Sequence, residues 1–283
     1  MPALTDTYVS QLQHQFGERL LQLGDGLQAL REAGQGDAVV LLHGIGSGAA
    51  SWLQVALGLC PQARVIAWDA PGYGQSAPLP MARPRASDYA TRLADLLDAL
   101  AVERCVLVGH SLGAMIAAAF AQRHPARVSE LVLLSPARGY GARPEQGQAV
   151  RDKRLHDLAT LGIAQLAEAR SARLVSATAR ASAVAWVQWN MARLNPTGYR
   201  QAIELLCGDD LLRYREQHVP CQVHCGSADS ITPADDCRAL AQALAAPFHL
   251  INGAGHACAI EQPETVTGRL AWALDTSFTG SVQ

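Results

Sequence analysis

The chain of 283 residues is 49% hydrophobic and 17% charged, and its formal net charge at pH 7 is −2. The composition excludes a disordered chain, and the net charge argues against nucleic acid as a partner. The length favours one elaborated domain over two equal ones. No window holds the ~20 apolar residues of a membrane span. Because the start lacks a signal-peptide pattern and the seven cysteines show neither Cys-x-x-Cys nor zinc-ligand spacing, we expect reduced thiols, no metal and a cytoplasmic location.

The first half of the chain alternates predicted strands with predicted helices. A hairpin comes first, since two alternating segments, 19–23 and 27–31, flank Gly24-Asp25-Gly26. Uninterrupted apolar runs then predict buried strands, and amphipathic or Ala-rich runs predict helices. This order is typical of a mostly parallel sheet with helices on both faces. The further strands are predicted at 38–42, 63–68, 105–108 and 128–134, and the helices at 50–59, 87–100 and 114–123.

The pentapeptide 109–113, Gly-His-Ser-Leu-Gly, joins the third of these strands to an Ala-rich helix. So short a strand-to-helix turn forces its central residue, Ser111, into a strained conformation, and Gly109 and Gly113 relieve the crowding around it. The serine hydroxyl then projects above the strand ends, and the N–H of Leu112 opens the helix. This pattern predicts a nucleophile elbow, although the bare motif also occurs as a structural turn.

A second glycine-rich loop, residues 43–48, follows the strand 38–42 and supports two interpretations. With Asp69 at the end of the next strand, the loop imitates a dinucleotide-binding fingerprint, which would indicate an oxidoreductase. Alternatively, the N–H of Ile45 joins that of Leu112 to form an oxyanion hole. The second interpretation is favoured, because a hairpin precedes the loop and because the first leaves Ser111 without a role.

The regular alternation stops between residues 137 and 215, where helices are predicted at 145–161, 163–169 and 182–194, with a last one opened by Asn195-Pro196. We expect this cap segment (137–215) to be an inserted helical lid on a core formed by 1–136 and 216–283. The cap segment holds 12 of the 23 basic residues and 7 of the 25 acidic ones, so it carries about +5 against about −7 for the remainder.

Two features of the cap segment could contribute to a substrate pocket. Arginines on its inner face would hold an anionic substrate, such as a carboxylate, although a solvated basic surface is the favoured alternative. Trp186 and Trp189 could form the wall of an acyl or aromatic pocket over Ser111, or could pack inside the cap segment.

The alternation resumes with strands predicted at 219–225 and 248–251. Asp229 lies just past the first of these strands in a turn-rich loop, and His256 lies in a glycine loop after the second. Both residues therefore belong at the sheet edge that carries Ser111. Of the nine histidines, His256 alone combines this placement with a position after both Ser111 and Asp229.

Taken together, these segments resemble the α/β-hydrolase superfamily, whose catalytic triad runs nucleophile, acid, histidine. Within it the chain looks most like 3-oxoadipate enol-lactonase and related esterases. C–C hydrolases of the meta-cleavage type tend to have a Trp where this chain has Ala257, and haloalkane dehalogenases need a carboxylate in place of Ser111. The matching stretches are His43-Gly44, Asp69-x-x-Gly72-x-Gly74-x-Ser76, 109–113, Gly226-x-x-Asp229-x-Ile231-x-Pro233 and Gly255-His256 with Glu261-x-Pro263-Glu264.

The resemblance implies an α/β-hydrolase fold and a cofactor-free serine hydrolase acting on a small ester or lactone. Ser111 would be the nucleophile, His256 the base and Asp229 its partner, with the oxyanion held by the N–H groups of Ile45 and Leu112. A C–C bond hydrolase, a perhydrolase and a receptor-like protein with little turnover stay open as alternatives. The oligomeric state is not predicted.

Overall fold

The computed structural model describes residues 4–216 and 218–279. Eight strands form one sheet, in the order β1-β2-β4-β3-β5-β6-β7-β8. The first two form an antiparallel hairpin, β2 is also antiparallel to β4, and every other neighbouring pair is parallel. The predicted architecture is therefore confirmed. The strands are β1 (Glu18–Leu23), β2 (Gly26–Ala33), β3 (Ala38–Leu42), β4 (Arg64–Trp68), β5 (Cys105–His110), β6 (Val128–Leu134), β7 (Cys221–Gly226) and β8 (Phe248–Ile251).

Helices cover both faces of the sheet, which explains why the central strands are apolar throughout. Successive side chains of a strand point to opposite faces, so Val40 and Leu42 of β3 contact one apolar cluster while Val39 and Leu41 contact the other. The helices are α1 (Leu4–Gln15), α2 (Leu53–Leu59), α3 (Ala86–Ala99), α4 (Leu112–Arg123), α5 (Pro144–Ser171), α6 (Ala181–Met191), α7 (Pro196–Gly208), α8 (Ala234–Ala243), α9 (Cys258–Glu261) and α10 (Pro263–Thr279).

Helices α3, α4 and α8 contribute to the first cluster, and α1, α2 and α10 contribute to the second. Two of these helices, α1 and α10, were not predicted from the sequence. Both are fixed by tertiary packing, as Leu12, Phe16, Val266 and Leu270 are buried in the second cluster. In the described ranges 4–216 and 218–279, no helix is both long and apolar enough to cross a bilayer.

The cap segment runs between β6 and β7 and contains α5, α6 and α7. Its two ends meet in an antiparallel bridge between Gly139 and Asp210. Helix α5 bends at Gly162, whose φ of 66° lies in the left-handed region, and this is the residue that separates the two helices predicted there. Asn195 caps α7, because its side-chain oxygen accepts a hydrogen bond from the N–H of Thr197 over 2.8 Å. The division into core and cap domains stays a prediction.

Candidate active site

The backbone of Ser111 has the strain that the elbow pattern predicts. It lies between β5 and α4 with φ 52° and ψ −114°, a conformation that non-glycine residues rarely adopt. Its neighbours must be small, since a Cβ on Gly109 would lie 2.6 Å from the Cα of Ala114 and one on Gly113 would lie 2.4 Å from the carbonyl oxygen of Leu42. The short turn is therefore possible only with glycine at both positions.

Asp229 and His256 lie side by side, as the sequence predicts. Nδ1 of His256 is 2.9 Å from Oδ2 of Asp229, and both side chains are buried. The other carboxylate oxygen accepts hydrogen bonds from the N–H groups of Ile231 (2.8 Å) and Thr232 (3.0 Å). Burial by itself would raise the pKa of Asp229, but the hydrogen bonds from His256 and from these N–H groups outweigh it and lower the pKa to about 2.

An ionised Asp229 fixes the tautomer of its partner. The carboxylate accepts the Nδ1 proton of His256, so Nε2 is left with its lone pair available to take a proton. The hydroxyl of Thr232 completes the pair, because Oγ1 lies 2.9 Å from Oδ2 of Asp229 and 3.2 Å from Nδ1 of His256. The sequence analysis did not identify Thr232, which lies between Ile231 and Pro233 of the matched motif and could have been noticed there.

His110 joins the elbow to the histidine loop, a role that the sequence analysis also missed. Nε2 of His110 lies 2.8 Å from the carbonyl oxygen of His256, to which it donates a hydrogen bond. Burial lowers the pKa of His110 to about 3, and the nearby imidazole of His256 adds to this shift. His110 is therefore neutral at physiological pH and acts as a hydrogen-bond donor that holds the main chain of residue 256.

The glycine loop 43–48 is held in place by the segment that follows β4. Nε2 of His43 accepts a hydrogen bond from the N–H of Ala70 (3.0 Å), so its Nδ1 donates to the carbonyl of Gly44 (2.9 Å). The carboxylate of Asp69 accepts from the N–H of Ala49 over 2.8 Å. Asp69 thus binds the chain's own loop, which removes the ribose-binding role that the dinucleotide interpretation requires.

Four of the five predicted catalytic and oxyanion residues line one cavity, and the fifth, Asp229, is connected to it through its hydrogen bond with His256. The cavity has a volume of about 680 Å³ and is lined by Ser111, His256, Ile45 and Leu112, and also by Thr232. The loop and the elbow are in close contact there, because a Cβ on Gly44 would lie 3.1 Å from the Cβ of Ser111. In the part of the chain that the structure describes, no group of three or more His, Cys, Asp or Glu side chains is arranged to hold a metal ion.

The prediction that Trp186 and Trp189 form a wall of this cavity is wrong. Neither ring is among the described residues that line it. The two indoles stack on each other with centroids 4.6 Å apart, and Trp186 packs edge-on against Tyr8 of α1 at 5.1 Å. The physical reason is that Trp186, which is 1% exposed, buries its indole in the second cluster against α1, and Trp189 stacks on that indole.

Basic residues of the cap segment line the cavity. Among the lining residues that the structure describes, the one carboxylate comes from α8. The basic residues are Arg138, Arg143, Lys153, Arg154, Arg170 and Arg173, and the carboxylate belongs to Asp236.

Residues 37–263 match the model of a protein family described as the alpha/beta hydrolase fold. The match covers most of the chain, which therefore belongs to that family. The fold and the family predicted from the sequence are confirmed.

Solved structures of similar fold include an esterase and an enol-lactonase. The esterase from Thermogutta terrifontis is 25% identical, with a TM-score of 0.80 over 92% of this chain and 99% of that one. The enol-lactonase from Burkholderia xenovorans LB400 is 23% identical, with a TM-score of 0.79 over 90% and 99% of the two chains. This second likeness concerns the fold alone.

Similarity to curated proteins is higher but covers less of the chain. A 2-hydroxy-6-oxo-6-phenylhexa-2,4-dienoate hydrolase from Comamonas testosteroni is 39% identical over 124 residues, which are 42% of this chain and 43% of that protein. A 2-hydroxy-6-oxononadienedioate/2-hydroxy-6-oxononatrienedioate hydrolase from Pseudomonas putida is 41% identical over 118 residues, 40% and 41% of the two proteins. The chain thus spans less than half the length of these relatives.

Proposed function

We propose that the chain is a serine hydrolase that cleaves a carboxylic ester or lactone of a small molecule through an acyl-enzyme on Ser111. One observation carries the proposal: the strained Ser111 and the His256 that is paired with Asp229 line the same cavity. The backbone of Ser111, with φ 52° and ψ −114°, is in a sparsely populated conformation of the kind that clusters at active sites. We place this activity in the cytoplasm, with no cofactor, metal, nucleic acid or membrane involved.

In the proposed mechanism, Nε2 of His256 takes the proton of Ser111 as the serine Oγ attacks the carbonyl carbon of the substrate. The resulting imidazolium is stabilised by the carboxylate of Asp229, which stays ionised because its pKa is about 2. His256 then returns the proton to the leaving alkoxide. Water, deprotonated by the same imidazole, cleaves the acyl-enzyme and regenerates the serine.

The negative charge that develops on the carbonyl oxygen needs donors that are already in place. The N–H of Leu112 is the first of α4 and has no carbonyl partner within that helix, and Ile45 of the glycine loop lines the same cavity. Each such donor typically contributes about 3 kcal/mol to the stabilisation of the transition state. We assign these two N–H groups to the oxyanion hole.

The test combines covalent labelling with turnover. A fluorophosphonate probe should label Ser111, and p-nitrophenyl acetate should be hydrolysed at a rate that Ser111→Ala lowers by about 10³-fold or more. Ser51→Ala is the matched control, since Ser51 lines the same cavity and its loss should leave the labelling in place. Labelling of another residue, or undiminished turnover by Ser111→Ala, would refute the proposal. Binding of a ligand without turnover would favour the receptor-like alternative.

A second candidate is a C–C bond hydrolase of the meta-cleavage type that uses the same three residues. It is favoured by the two dienoate and dienedioate hydrolases among the relatives. The small Ala257 after His256 favours the ester or lactone instead. A vinylogous 1,5-diketone assayed beside p-nitrophenyl acetate separates the two, because the C–C hydrolase should turn over the diketone with the higher kcat/KM.

A further inference from the structure

Two arginines of α5 share one phenol oxygen at the wall of the cavity. Nη1 of Arg154 donates to Oη of Tyr199 over 3.1 Å, and Nη1 of Arg170 donates to the same oxygen over 3.3 Å. All three side chains line the cavity; the tyrosine is buried and both arginines are half-buried. Two guanidinium groups this close to one oxygen repel each other, so the arrangement is stable only where negative charge compensates them.

Only one of the two guanidinium groups, that of Arg170, has its positive charge compensated by a carboxylate in the part of the chain that the structure describes. Arg170 forms an ion pair with Asp157 at 2.7 Å, and the same carboxylate also accepts from Lys153 at 3.3 Å. These hydrogen bonds lower the pKa of Asp157 against the opposing effect of its burial, so that its charge is fully engaged. Arg154 has no carboxylate within 4.0 Å in the ranges 4–216 and 218–279, and its guanidinium binds the phenol oxygen of Tyr199 instead.

Hydration by water does not explain why Arg154 lacks a carboxylate partner. Arg143, Lys153 and Arg173 also line the cavity, but they are exposed and can keep their hydration shells. Arg154 is partly withdrawn from water and is held in one direction by a buried hydroxyl, which fixes its remaining N–H donors. A fixed, half-buried and unpaired guanidinium that faces a cavity is a receptor for an anion.

We propose that Arg154, together with Arg170 and Tyr199, binds a carboxylate carried by the substrate. The planar N–H donors of a guanidinium match the two oxygens of a carboxylate, and the added negative charge would relieve the repulsion between the two arginines. The inference rests on the proposed function, because the substrate is the ester or lactone that Ser111 attacks. A carboxylate site at Arg154 would make this hydrolase selective for substrates whose acyl or alcohol group ends in a free acid.

The test uses two esters that differ by one charge. Mono-p-nitrophenyl glutarate carries a free terminal carboxylate, and methyl p-nitrophenyl glutarate carries its neutral methyl ester. The wild-type protein should hydrolyse the acid with a kcat/KM at least about tenfold higher, the size expected of one charge-assisted contact. Arg154→Gln should reduce this ratio by about tenfold, mainly through KM, and Arg154→Lys should restore part of it.

Arg200→Gln is the matched control. Arg200 follows Tyr199 on α7, is exposed and is not among the lining residues, so its loss removes the same charge from the cap segment without changing the cavity wall. It should leave the ratio of the two esters unchanged. A wild-type ratio near one, or an equal fall of the ratio in Arg200→Gln, would overturn the carboxylate site while leaving the serine mechanism intact.

A binding measurement separates this inference from the activity. Titration calorimetry of glutarate against Ser111→Ala should detect binding that the double variant Ser111→Ala/Arg154→Gln loses, with dimethyl glutarate as the neutral comparison. If glutarate binds through Arg154 but neither ester is hydrolysed, the carboxylate site stands and the proposed activity fails. If Ser111 hydrolyses both esters and glutarate does not bind, the activity stands and the site is refuted.

Discussion

Both carboxylate oxygens of Glu261 lie within 3.1 Å of the backbone nitrogen of Ser176, 85 residues away along the chain. Oε2 also accepts a hydrogen bond from the N–H of Gly255 over 2.8 Å. Beside this contact, the N–H of Ala257 donates to the carbonyl of Leu174 over 2.6 Å. One carboxylate thus fastens the part of the cap segment that follows α5 to the loop that carries His256.

Glu261→Gln should weaken this attachment. An amide in place of the carboxylate keeps the shape, but its NH2 group faces backbone donors and leaves at least one N–H without an acceptor. We expect the free energy of unfolding to fall by about 1–3 kcal/mol, measured by urea denaturation. Glu264→Gln is the control, because Glu264 is exposed on the first turn of α10 and should change stability by less than about 1 kcal/mol. Equal effects of the two substitutions would contradict this role.

The pair of Asp229 and His256 should contribute to stability in a defined pH range. The pKa of Asp229 falls from its usual 3.8 to about 2 in the folded chain, so the unfolded chain binds more protons between these values. The contribution, about 2 kcal/mol, is therefore present above pH 4 and is lost as the pH falls towards 2.

Comparison with Asp229→Asn isolates that contribution, since asparagine does not titrate. The difference in unfolding free energy between wild type and variant should shrink by about 2 kcal/mol between pH 5 and pH 2, measured by urea denaturation at each pH. Asp235→Asn, an exposed change on α8, should show no such trend. A difference that stays constant over this range would mean that the pKa of Asp229 is not lowered by folding.

Much of this site could be predicted from the sequence because its backbone follows from local rules. Short apolar runs that end in glycine loops place Ser111, Asp229 and His256 at the same edge of a parallel sheet, whatever the rest of the chain does. The bend at Gly162 and the cap at Asn195 are local in the same sense. Helix α1 also left a signal that was missed, because Tyr8, Leu12 and Phe16 recur at four-residue spacing.

The remaining features depend on distances between side chains that are far apart in sequence. Nothing near His110 indicates that its side chain binds the main chain of His256, since 146 residues separate the partners. The direction of Trp186 depends on α1, and the unpaired charge of Arg154 depends on where Asp157 and Tyr199 lie. Such pairings arise from packing of whole elements, which composition and periodicity do not specify.

The glycines of the elbow should be intolerant of substitution. Gly113→Ala would place a Cβ 2.4 Å from the carbonyl oxygen of Leu42, an atom fixed within the sheet, so α4 must move away from β3. We expect a loss of several kcal/mol of stability, of the size found for overpacked cores, and a loss of Ser111 labelling by the fluorophosphonate probe. Gly268→Ala on α10 is the matched control. Its Cβ would meet no atom within 4 Å, so a helical alanine there should stabilise the chain by about 0.5–1 kcal/mol.

Trp186 should affect stability more than catalysis, because it packs between α6 and α1 and does not line the cavity. Trp186 is 1% exposed, so Trp186→Ala should lower the free energy of unfolding by about 3–5 kcal/mol, measured by urea denaturation. Trp272→Ala removes an indole that is 58% exposed and should change stability by less than about 1 kcal/mol.

Trp186→Phe retains most of the packing and allows kinetics to be measured if the alanine variant unfolds. In whichever variant folds, KM for p-nitrophenyl acetate should stay within about twofold of wild type, because no atom of the cavity wall is removed. A large rise in KM without loss of stability would restore Trp186 to the substrate pocket.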